Sequence, residues 1–227
     1  MLENNLSTWL DFALQQIAAE SYLDDIDIND PIAVAAALVR GNNRQGFPEG
    51  GFTRFVDLNG VSNASQITGS AQAFVTRYQI VDHHANDATG FSATLMKDTQ
   101  TGEYTLSFRS TEYREQVDGG DNERDSRRGA DGEITLHGFA FGQLASMETY
   151  YQSLKTSGLL PAGAVLNVTG YSLGGHLATV AKTAKDGPTS GDCPPSPRPR
   201  VGAVPDSSAA MPGEGVRGVR VTERMAA

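Results

Sequence analysis

"AVLNVTGYSLGGHLATVAK", residues 164–182, is the stretch whose reading decides the fold of this chain. Its first six residues are apolar or β-branched and suit a short buried strand. From Leu173 the apolar spacing becomes helical, and Lys182 and Lys185 suit the negative pole at a helix C-terminus. Between the two lie Gly170, Ser172 and Gly174, a G-x-S-x-G. The pattern alone is weak, because a chain of this composition produces it by chance about 0.2 times. Context decides: a strand entering and a helix leaving lift the serine onto a sharp, strained turn at the top of a sheet. Gly170 and Gly174 lack a Cβ and let strand and helix approach at the bend. The Ser172 hydroxyl is then expected in solvent at the helix N-terminus. There the N–H of Leu173 and the helix dipole can hold an oxyanion.

Upstream the sequence alternates between the two periods. Leu6, Trp9, Leu10, Ala13, Leu14 and Ile17 recur at helical spacing and are expected in the core. "DPIAVAAALVR" (30–40) has Asp30 as N-cap, Pro31 at the first helical position and Gly41 as stop. "DDIDIND" (24–30) starts like an EF-hand loop but has Asp30 where that loop needs Gly, so it reads as a solvated turn capping the next helix. A third helix is expected over 70–81. "GFSATLMKD" and "EYTLSFRST" flank "TQTG", a strand–turn–strand hairpin. The stretch 139–155 reads as a helix with Leu144, Met147, Tyr151 and Leu154 on one side. Strand 103–109, this helix and strand 164–169 make a βαβ unit with parallel strands, which sets the fold class as α/β. The acidic stretch 111–133, with 8 acidic and 4 basic residues, reads as a solvated mobile loop. Calcium at Asp118, Asp121 and Glu123 is a weak alternative, because the spacing fits no calcium loop.

"GYSLGGHLA" together with "FRSTE" (108–112) resembles the class 3 lipases, the α/β-hydrolase group of fungal lipases and bacterial phospholipase A1-like enzymes. "ADGEITLHGFAFGQ" (130–143) resembles their bacterial branch. The family pattern G-H-S-L-G-G-A has Tyr171 here in place of His, and F-R-G-T has Ser110 in place of Gly. The likeness spans residues 70–181. It implies a carboxylic-ester hydrolase with an α/β-hydrolase-like parallel sheet core. Ser172 would be the nucleophile, and the N–H groups of Thr111 and Leu173 the oxyanion hole. The substrate would be an acyl ester or lipid, with transient contact at a lipid surface and no cofactor or metal. A thioesterase or acyltransferase would share the same elbow.

That architecture orders its triad as Ser, then Asp or Glu, then His. The last histidine of this chain is His176, one helical turn after Ser172, where a base role is disfavoured. His83, His84 and His137 lie upstream, where packing or surface roles are expected. The alternative to an enzyme is therefore a catalytically dead fragment, or a binding protein keeping the first half of the fold.

Two units are expected: 1–185, a partial hydrolase-like domain incomplete at its C-terminal side, and 186–227, a disordered tail. The tail has 7 Pro and 6 Gly in 42 residues and no Leu, Ile, Phe, Tyr or Trp. Out-of-frame translation of GC-rich DNA would give the same composition. Without a partner, one edge of the strand at 164–169 is expected to be open.

A net charge of −9 makes nucleic acid an unsuitable partner. No apolar run reaches the roughly 18–20 residues of a membrane span. The N-terminal 20 residues have no basic start or small-residue cleavage site, so the expected location is cytoplasmic or reached by a non-classical export route. One cysteine, Cys193, excludes an intrachain disulfide.

Overall fold

The hairpin around "TQTG" is the centre from which the sheet grows. The computed structural model describes residues 2–40, 69–118, 120–186 and 219–221. Strands β1 (Tyr78–His84), β2 (Ala93–Asp98), β3 (Tyr104–Phe108) and β4 (Leu166–Gly170) lie in chain order, and a three-residue β5 (Val219–Val221) extends the edge. Gly102, at φ +76°, closes the β2–β3 turn, a conformation that costs a residue with a Cβ. A connection this short forces β2 and β3 antiparallel.

Helices α1 (Leu2–Ala19), α2 (Pro31–Arg40) and α3 (Gly69–Arg77) precede the sheet. Helices α4 (Asn122–Asp125), α5 (Ala130–His137) and α6 (Phe141–Thr156) lie between β3 and β4, and α7 (Ser172–Asp186) follows β4. The long connection through α6 returns β4 parallel to β3, pairing Tyr104 with Leu166 and Ser107 with Thr169. The fold is mixed α/β, as the βαβ reading requires. Among the described residues the parallel pairing expected of the core is found at β3–β4 alone, while β1–β2, β2–β3 and β4–β5 are antiparallel. The expected open edge of β4 carries β5 instead.

Alternation along the strands builds a core on each face. Ala93, Leu95, Leu106, Phe108, Leu166 and Val168 pack with Met147, Tyr150 and Leu154 of α6 and Leu177 and Ala178 of α7. On the opposite face Ile80 and Met96 pack with Ala18, Ala19, Val34, Leu38 and Phe74 of the first three helices. Among the described residues no helix is long and apolar enough to cross a membrane.

The Asp30 cap is present, its Oδ1 accepting from the Ile32 N–H at 2.9 Å. Three other expectations are corrected. The helix expected over 70–81 ends at Arg77, because Tyr78 and Ile80 alternate inward as strand β1 and pair with β2. Trp9 and Leu10 face outward, 60% and 59% exposed, and the apolar stripe of α1 buries its later turns. The acidic stretch 111–133 holds α4 and the start of α5, and Glu112, Asp121 and Asp125 are fully or almost fully buried. The disordered reading of the tail falls outside the described residues apart from Asp186 and β5, as does Gly41.

Candidate active site

At the carboxyl end of β4 the chain turns through Tyr171 into α7, and the turn is strained. Ser172 has φ 51°, the one positive value at a non-glycine among the described residues. For an L-residue with a Cβ this left-handed backbone costs on the order of 1–3 kcal/mol, so the surrounding packing must enforce it. Two glycines show how. A Cβ on Gly170 would overlap the carbonyl of Gly174. A Cβ on Gly174 would overlap the carbonyl of Phe108 and come within 2.9 Å of the Arg109 carbonyl oxygen. Strand, turn and helix therefore meet backbone to backbone, and the side chain at 172 is driven outward into solvent.

The same contact places the first turn of α7 against the end of β3. Parallel pairing brings both carboxyl ends to one edge of the sheet, where open α/β sheets place their ligands. Leu173 lies in the first turn of α7, so its N–H has no acceptor within the helix. Its side chain is 2% exposed, packed on Ala130, Ile134 and Ala140. Thr111, three residues past β3, is also buried, and its hydroxyl donates to the Asp131 carboxylate at 3.0 Å. Its N–H donates to no acceptor among the described residues. Burial raises the Asp131 carboxyl above the usual range, opposed by the Thr111 hydrogen bond.

The turn from Phe108 to Glu112 is fixed by a buried network. Arg109 donates to Glu112 and Asn86 through Nη1, at 2.9 and 3.3 Å, to the Ala19 carbonyl through Nε at 3.2 Å, and to the Ser21 carbonyl through Nη2 at 2.9 Å. Glu112 also accepts from the Tyr22 hydroxyl and from Asn86, each at 2.6 Å. A buried ion pair is tolerated when its remaining lone pairs and protons are matched in this way. Asp125 accepts from the Glu112 N–H at 2.9 Å and from Gln143 at 2.7 Å, and burial pushes its carboxyl up to about 8.

The structure brings Gly170, Ser172, Leu173 and Gly174 together against the end of β3, and Thr111 is tied through Asp131 to α5, the helix that packs on Leu173. It brings no histidine to them: among the described residues none is hydrogen-bonded to Ser172. His176 lies beside Phe139, ring centroids 5.8 Å apart, its Nε2 buried without a partner and its pKa lowered by burial. His83 is held between Thr94 at 2.9 Å and Asp24 at 2.8 Å on β1, separated from β3 by β2. His84 stacks on Tyr150 and His137 is exposed. Leu136, Phe139 and Phe141, at the corner between α5 and α6, are exposed, and the two phenylalanine rings lie 6.1 Å apart.

Glu20, Arg109, Glu112, Asp125 and Asp131 were not legible as site residues. Most of their partners are far away in sequence, and no spacing marks them. The side chain of Asp118 lies outside the described residues, and among those described no group of three or more His, Cys, Asp or Glu could hold a metal ion. The chain matches no family model, and comparison with curated proteins and with solved structures finds no match.

Proposed function

We propose that this protein is a serine carboxylic-ester hydrolase of the α/β-hydrolase type, acting on acyl esters or lipids. One observation carries the reading: an exposed serine held at φ 51° where a buried strand turns into a helix. That backbone is costly, and it lifts a hydroxyl to the helix N-terminus, where a nucleophile is useful. In this reading Ser172 Oγ attacks the ester carbonyl. The Leu173 and Thr111 N–H groups take the developing oxyanion, the alcohol leaves carrying the proton lost by the Ser172 hydroxyl, and water then releases the acyl group as the acid and restores that hydroxyl. The apolar corner formed by Leu136, Phe139 and Phe141 supports an acyl chain or lipid surface as the apolar partner. The likeness of "GYSLGGHLA" and "FRSTE" to class 3 lipases supports the same assignment.

A second reading is favoured by a specific observation. With no histidine bonded to Ser172, the hydroxyl lacks the base that would activate it. The protein would then be a non-catalytic binder built on the same fold. Release of nitrophenol from short-chain esters separates the two, measured beside Ser172→Ala. Hydrolysis that disappears in the variant supports the enzyme, and equal rates leave the binder. Covalent labelling of Ser172 by a fluorophosphonate gives an independent check of its reactivity.

A further inference from the structure

We propose that Glu20 is the positioning residue of the turn that carries Thr111, acting through both the backbone and the hydroxyl of Ser110. The inference rests on the reading of Thr111 as an oxyanion donor.

Glu20 follows α1 directly and is 0% exposed. One carboxylate oxygen accepts from the Ser110 N–H at 2.9 Å, and the other faces the Ser110 hydroxyl at 3.1 Å. On either side of it, the Ala19 and Ser21 carbonyls accept from Arg109. Residues 19–21 therefore grip residues 109 and 110 through four hydrogen bonds, across some 90 residues of sequence. The next residue, Thr111, is anchored from the other direction by Asp131. Its N–H, without an acceptor among the described residues, sits between these two anchors, so the carboxylate of Glu20 and that of Asp131 together set its direction. A buried carboxylate is an expensive way to hold a loop, and burial pushes the Glu20 carboxyl up to about 7. A neutral side chain would give the fold the same packing without that cost. Bidentate capture of one residue next to a donor N–H is what placement of that donor requires. It also explains Ser110: where the class 3 lipase pattern has glycine, this chain has a hydroxyl, and that hydroxyl is bonded to Glu20.

The test uses the full chain as wild type, Glu20→Ala, Glu20→Gln and Ser110→Ala. Two quantities are measured: kcat and KM on a short-chain nitrophenyl ester, and amide hydrogen exchange of a peptide spanning 106–113. Glu20→Ala is expected to lower kcat at least about tenfold with KM unchanged, and to speed exchange at Ser110, whose N–H it bonds, by about the same factor. Glu20→Gln keeps an acceptor for the Ser110 N–H and should return both values to within about threefold of wild type. Loss of kcat without faster exchange, loss shared equally by Glu20→Gln, or a rise in KM with kcat intact would overturn the proposal. If Glu20→Ala does not fold, Ser110→Ala decides: faster exchange with lower kcat supports the clamp, and unchanged values sink it. If wild type hydrolyses no faster than Ser172→Ala, the ester-hydrolase reading fails on its own. Exchange then still decides whether Glu20 holds the turn.

Discussion

The Thr111 hydroxyl and the Asp131 carboxylate meet at 3.0 Å, across the excursion that contains α4 and the loop after it. This bond joins the end of the β3 turn to the first turn of α5, which packs Ala130 and Ile134 on Leu173. Both proposed oxyanion donors are thus positioned by one helix. Asp131→Ala should lower kcat about tenfold while costing only about 1 kcal/mol of stability, since the acceptor is half-buried. Thermal melts beside steady-state rates test the split. A loss of stability with rates intact would assign Asp131 to folding alone.

Two neighbouring glycines should respond differently to alanine. Gly174→Ala drives a Cβ into the Phe108 carbonyl, and backbone cannot yield as a side-chain tip can, so a loss of more than about 2 kcal/mol is expected. Gly175→Ala meets its nearest atom, the Gly170 carbonyl oxygen, at 3.3 Å. It also gains helix propensity of about 1 kcal/mol, so its net effect should be small. Chemical denaturation of the two variants measures the difference.

Strain at the elbow predicts a trade between stability and activity. Ser172→Gly relieves the left-handed backbone and should stabilise the fold by about 1 kcal/mol while removing all Ser172-dependent hydrolysis. A variant less stable than wild type would show that the serine is not strained.

Stability should fall as pH rises from 6.5 to 8.5. Burial lifts the Glu20 carboxyl from 4.5 to about 7 and that of Asp125 from 3.8 to about 8. In the folded chain these groups hold protons that the unfolded chain has released. Their contribution is therefore complete below the unfolded values and is lost as pH passes through the folded ones. His83 and His176 are displaced downward from 6.5 by burial, so they act in the opposite sense, chiefly below pH 6.5 and fading within the next pH unit. Across the stated interval the carboxyls dominate, for a loss on the order of 2–3 kcal/mol. Melting temperature measured at both ends reads the sign directly, and a rise toward pH 8.5 would contradict it.

The sequence by itself determined the elements whose signals are local. The hairpin closed by Gly102, the Asp30 cap and the strand–turn–helix around Ser172 each depend on residues within a few positions of one another. So does the βαβ unit, because the length of the connection between β3 and β4 permits a parallel return. The tertiary structure decided what depends on residues far apart. Tyr78 leaves a helical pattern for a strand because β2 offers it hydrogen bonds. The acidic stretch 111–133 folds inward because Arg109, Gln143 and the backbone of Glu112 supply its carboxylates with partners. Glu20 becomes a candidate site residue only when α1 is laid against the end of β3. Hydrogen bonds to buried charges form between whichever groups the packed layers bring together, and no spacing along the chain records that choice.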